Sequence, residues 1–131
     1  MTLRATGVQI YECRADPKGG PATWAFREPR AELFLDGRRI GRHRAGPTWE
    51  HEDGSAVTGR IVARGVDAPT AGDIPWLRLD VVARRGAGAF ADLAAIRRVN
   101  TRGGALSGPC REAGRASEVP YTSDCVMLRG S

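Results

Sequence analysis

A chain of 131 residues, 41% apolar and 27% charged, has the size and balance of one globular domain over residues 1–131, able to bury a core of its own. No apolar run approaches the roughly 20 residues of a membrane helix, and the start, MTLRATGVQIYEC, holds no apolar leader segment, so neither a span nor a signal peptide is expected. The formal charge of +5 rests on arginine, with nineteen Arg and a single Lys, Lys18; the arginines are scattered and accompany no DNA- or RNA-binding motif, so no nucleic-acid partner is expected.

In chain order, GVQIYEC at 7–13 alternates Val8, Ile10 and Glu12 against Gln9, Tyr11 and Cys13, the period of a strand. DPKGGP at 16–21 is a turn cluster. TWAFR at 23–27 is a second strand with Trp24 and Phe26 on one face, which Pro29 is expected to end. Residues 31–35 form a third strand, and Asp36-Gly37 turns it into a fourth at 38–43, because both residues tolerate positive φ. Gly46-Pro47 breaks the ladder, since proline has no N–H to donate. A short strand at 48–52 turns at Asp53-Gly54 into a long one at 55–64. Residues 66–73, with Pro69 and Gly72, read as a loop. IPWLRLDVVAR at 74–84 sets Trp76, Arg78, Asp80 and Val82 against Leu77, Leu79 and Val81. The segment 90–101 fits both periods: Phe90, Leu93 and Ile96 recur as on a short helix, whereas Leu93, Ala95, Arg97 and Val99 alternate. The Gly-rich turn at 86–88 favours an antiparallel return, so it is read as a strand. Residues 102–118 are loop-like, and VPYTSDCVMLR at 119–129 closes the chain as a strand.

Eight or nine strands with two Asp-Gly hairpins predict an all-β fold. So many strands in a small domain must hide their edges, so the expected architecture is an antiparallel β-barrel of about eight strands, with a β-sandwich as the alternative.

The groups able to do chemistry concentrate in GRHRAGPTWEHEDGS at 41–55. Glu50 beside Trp49 is a candidate acid or base, with His43 as its partner; the competing reading is a solvated or Arg-paired carboxylate and a hydrogen-bonded structural His. Glu50 and His51 are adjacent and point to opposite strand faces, so a metal site using both is not expected. Arg98 and Asn100 share a face at a strand end and are expected to line the same pocket as 41–55, with Arg98 as a partner for Glu50; a turn-capping role for Asn100 and Thr101 is the alternative. Of three cysteines, none forms a CxxC pair, and the odd count permits at most one disulfide; Cys13 and Cys110 flank loops, whereas Cys125 reads as a buried apolar residue.

The order GVQIYEC, a Trp-x-Phe strand, AELFLDGRRIGRHRAGPTWEHEDGS, IPWLRL, IRRVNTRGG, a Cys and VPYTSD resembles an uncharacterised family of small bacterial and fungal proteins, frequently with secretion signals. The resemblance runs from residue 7 to about 127 and supplies no catalytic residues. It implies that Cys13 and Cys110 are family positions that pair outside the cell, leaving Cys125 free, and that the protein is extracellular or periplasmic; without a leader in the chain, a cytoplasmic location is the alternative. Cys125 stands where the family usually has an aromatic residue, and His51 is outside its pattern.

The function expected is a β-barrel that binds a small, partly apolar molecule, with no cofactor, no metal and no membrane partner. Trp24, Trp49, Trp76 and Tyr121 would form apolar wall, and His43, Glu50, Arg98 and Asn100 the polar contacts. The alternatives are an isomerase, cyclase or hydrolase with Glu50 and His43 as acid and base, and a structural or surface-interaction module with a filled barrel. Oligomeric state is left open.

Overall fold

The computed structural model describes residues 1–65 and 71–130; most of the loop expected at 66–73 lies outside them. Eight strands follow one another: β1 (Thr2–Arg14), β2 (Thr23–Leu35), β3 (Arg38–Arg44), β4 (Thr48–His51), β5 (Ala56–Arg64), β6 (Leu77–Arg85), β7 (Leu93–Gly103) and β8 (Ala116–Arg129). Each pairs antiparallel with the next, and β8 returns to pair with β1, so the sheet closes as a barrel, although β2 before Ala31 and β6 after Asp80 are paired on one side only. Among the described residues no helix is long and apolar enough to cross a membrane.

Period-two alternation sets the inward face. On β8, Tyr121, Ser123, Cys125 and Met127 are buried while their neighbours are only partly so. On β1, Leu3, Ala5, Gln9, Tyr11 and Cys13 are buried. The strand begins at Thr2, earlier than residue 7. The Asp36-Gly37 hairpin forms with φ of 50° and 81°, the left-handed pair that a type I′ turn requires. Gly41 lets β3 and β4 approach closely, because a Cβ there would strike the Glu50 carbonyl.

Several strand limits differ from expectation: β6 starts at Leu77 rather than at 74, and β8 at Ala116 rather than at 119, within the segment read as loop. Pro29 does not end a strand: β2 runs through it, with Pro29 opposite Gln9 on β1. The β3 partner joins only from Ala31, so on that side Pro29 has no ladder for its missing N–H to interrupt. The ambiguous 90–101 segment is a strand from Leu93, and Phe90 lies in the preceding turn, fully buried.

The two ends of the barrel differ. At one end Leu3, Leu33, Ile40, Phe90, Leu93 and Met127 fill the interior. A carboxylate ties this end shut: Asp53 Oδ1 accepts from the Ser55 N–H at 2.8 Å and hydroxyl at 2.6 Å, and Oδ2 accepts from the Ala89 N–H at 2.9 Å. These bonds hold the Asp53 carboxyl well below its ordinary value, at about 2. Ser55 Oγ accepts from the Phe90 N–H at 3.1 Å, which fixes the turn carrying the plug. The other end is hollow. The described residues also include a Cys13–Cys110 disulfide, Cα–Cα 5.9 Å, and a buried free Cys125.

Candidate functional site

The hollow end encloses a cavity of about 500 Å³, within the range of small-molecule sites. Trp49, Leu79 and Cys125, each about 2% exposed, form its deep part. Gln9, Tyr11, His43, Leu77, Arg98, Tyr121 and Ser123 form the wall, and Phe26, Arg27, Ile61 and Arg64 are the exposed groups at the rim. Phe26 meets Tyr11 edge-on at 5.7 Å between ring centres.

His43 and Trp49 are directly opposed on β3 and β4, and their rings stack at 4.3 Å. His43 Nδ1 lies 2.9 Å from the Thr48 carbonyl oxygen, so Nδ1 carries the proton and donates it, which leaves Nε2 of the neutral ring as an acceptor. Burial lowers the His43 pKa from 6.5 to about 4, opposed by the Thr48 bond and reinforced by the Arg98 charge. His43 is therefore a neutral wall residue at neutral pH. Between about 6.5 and 4 the unfolded chain binds a proton that the folded one refuses, so stability is full above pH 6.5 and falls as the pH drops through this window. The expected loss is on the order of 3 kcal/mol. Thermal midpoints measured from pH 8 to pH 4 should show it, with a clearly shallower decline for His43→Gln; an equal decline in both proteins would contradict the assignment.

Arg98 reaches in from β7, and its Nε and Nη2 both donate to the Pro75 carbonyl, at 3.0 and 2.7 Å. No carboxylate pairs with it among the described residues. Tyr11 hydroxyl donates to the Gly104 carbonyl, and Thr101 hydroxyl to the Ile74 carbonyl at 2.6 Å. Burial pushes up both the Tyr121 hydroxyl and the Cys125 thiol; for the thiol, the neighbouring Trp49 and Ser123 side chains pull the other way. Both groups are protonated at neutral pH. Among the described residues, buried Gln9 Oε1 has no hydrogen-bond partner, and Trp49 Nε1 and Ser123 Oγ make no well-formed hydrogen bond, facing only the Cys125 thiol, a weak partner.

His43, Trp49, Arg98 and Tyr121 thus meet at one cavity. Glu50, Trp24, Trp76 and Asn100 do not. Glu50 has the opposite strand parity from Trp49, so it sits outside the barrel, where Arg42, Arg44 and Arg85 approach to 2.8, 3.3 and 2.7 Å and lower its pKa, Arg42 most strongly. The expected Glu50–His43 and Glu50–Arg98 partnerships do not form. Trp24 lies beyond the rim, paired with Cys13 in the ladder. Trp76 stands just before β6 and is absent from the cavity lining, although Ile74, Pro75 and Leu77 belong to it; its carbonyl accepts from the Gly65 N–H at 2.6 Å.

Asn100 was expected to share a face with Arg98, but a register shift between Val99 and Arg102 inserts an extra residue. Asn100 takes φ 51° there, and its amide donates to Asp124 outside at 2.9 Å, while Thr101 turns in. Of the inward residues missed from the sequence, Gln9 and Tyr11 share the β1 face of Cys13, Ser123 and Cys125 share the β8 face of Tyr121, and Leu77 and Leu79 share one face of β6; a Gln and a Ser on otherwise apolar faces were the available signal.

Among the described residues no group of three or more His, Cys, Asp or Glu side chains is placed to hold a metal ion. No curated protein and no solved structure matches the chain. A family described as a protein of unknown function (DUF3455) matches residues 34–129. That match runs from the end of β2 to the end of β8 and takes in Trp49, His43, Arg98 and Tyr121, so the chain belongs to the DUF3455 family.

Proposed function

We propose that this barrel binds a small, partly apolar molecule in its hollow end. The observation that carries the reading is the cavity of about 500 Å³ whose buried wall bears an unpartnered Gln9 Oε1, with Trp49 Nε1 and Ser123 Oγ facing no stronger partner than the Cys125 thiol. A buried donor or acceptor left unpaired costs about 1–3 kcal/mol and a thiol is a weak partner, so these three atoms on one cavity wall favour an occupant that pairs with them. An interior packed solid would instead have suited a purely structural module. The acid–base reading is not carried forward, because Glu50 and His43 lie on opposite sides of the barrel wall. The disulfide is compatible with maturation outside the cytoplasm, in an oxidising compartment.

The test is a thermal-shift screen of small aromatic and alkyl compounds, alongside native mass spectrometry of the purified protein. A ligand at about 100 times its Kd should stabilise the fold by about 2.7 kcal/mol, and Ser123→Phe, which fills the cavity, should abolish the shift. If no compound shifts the midpoint and no molecule co-purifies, the reading fails.

A further inference from the structure

We infer that the occupant of the cavity is an anion with an apolar body, its carboxylate or comparable oxyanion held by Arg98 and Arg64. This deepens the binding reading above and rests on it. The charged side chains on the cavity are Arg27, Arg64 and Arg98; no Asp or Glu is among them. Arg27 has a carboxylate within reach, Glu28 at 3.6 Å. Arg64 and Arg98 form no ion pair among the described residues.

Arg98 is the unusual one of the pair. Its side chain is largely withdrawn from solvent, yet its satisfied donors meet only a neutral carbonyl. A buried guanidinium normally faces an anion, since desolvating an uncompensated charge is costly. The carbonyl occupies Nε and one N–H of Nη2, which leaves the Nη1 hydrogens and the second Nη2 hydrogen as donors. Burial, with Arg64 acting against the same charge, lowers the Arg98 pKa. An oxyanion between the two guanidiniums relieves that repulsion and forms charge-assisted hydrogen bonds.

The apolar body follows from the rest of the wall. Trp49, Leu77, Leu79 and Tyr121 offer aromatic and aliphatic surface beside Arg98, and Leu77 and Cys125 are its ladder partners on β6 and β8. The ligand class is therefore an aryl or alkyl carboxylate rather than a free inorganic anion, which would leave this surface uncovered.

The experiment compares 2-naphthoate with 2-naphthylmethanol, which share a ring system and differ in charge, by titration calorimetry on the wild-type protein, Arg98→Gln and Arg64→Gln. Wild type should bind the carboxylate at least about tenfold more tightly than the alcohol, the worth of one charged hydrogen bond. Arg98→Gln should remove most of that preference while leaving the alcohol's affinity within about twofold. Arg64→Gln, at the exposed rim and no threat to folding, should reduce the preference in part. Equal affinities for the two probes in wild type, or an unchanged preference in both variants, would overturn the anion assignment and leave the binding function standing. No binding of either probe, combined with an empty thermal-shift screen, would overturn both.

Discussion

Phe90→Ala is expected to lower the stability of the barrel by about 3–5 kcal/mol, the usual result of emptying a fully buried aromatic site. Phe90 is 0% exposed and stands in the turn before β7, so its ring plugs the filled end rather than extending a strand. The His51 ring meets the Phe90 ring edge-on at 5.2 Å, and the Phe90 backbone N–H donates to Ser55 Oγ at 3.1 Å. Truncation leaves a void that a closed barrel relaxes around poorly, because each wall strand is pinned by two neighbours. Urea unfolding followed by far-ultraviolet circular dichroism would measure the loss. The cavity is at the opposite end, so a ligand that binds the wild type should still bind the folded variant with affinity changed by less than about threefold. A loss below about 1 kcal/mol would mean that the turn, not the ring, closes the end.

Removing the Cys13–Cys110 bridge is expected to cost about 4–5 kcal/mol in the chain-entropy model, because the two residues lie 97 apart in sequence. The bridge joins the end of β1 to the loop before β8. Backbone bonds hold the same loop: Cys110 N–H donates to the Ala22 carbonyl at 2.9 Å, Trp24 N–H to the Gly108 carbonyl at 3.1 Å, Gly114 N–H to the Cys13 carbonyl at 2.8 Å and Cys13 N–H to the Arg115 carbonyl at 2.8 Å, but none of these constrains the unfolded chain as the bridge does. Cys13→Ser with Cys110→Ser should therefore unfold at markedly lower urea, and reduction of the wild type should reproduce the shift. Cys125→Ala should not reproduce it, since Cys125 is outside the bridge. Peptide mapping without reduction should recover the 13–110 pair; three free thiols in the protein from its natural compartment would refute the assignment.

Strand existence was legible wherever alternation and turn chemistry agreed. Asp36-Gly37 and the GVQIYEC and VPYTSDCVMLR patterns each carry their own period, and the strand count leads to closure because open edges are costly. Glu50 shows the limit. Its neighbours in sequence mark it as site-like, but parity alone decides whether a strand residue meets the cavity or the solvent, and the register that sets parity is a property of the paired sheet. Asn100 shows the same limit more sharply, because one inserted residue between Val99 and Arg102 reverses the face that simple alternation assigns.

The sequence by itself determined the all-β class, the hairpins and the pool of residues able to line a site, since period two and left-handed turn residues are local properties. The disulfide partners were reached from the loop-flanked positions of Cys13 and Cys110, with Cys125 in an apolar strand, together with the family resemblance. Tertiary structure alone decided which end is plugged and which is hollow, and that His43, Trp49, Arg98 and Tyr121 converge while Glu50 is captured by three arginines outside. Those outcomes depend on the registers of seven successive strand pairs and on β8 closing against β1, where each bulge shifts the inward set, and no local pattern encodes that sum.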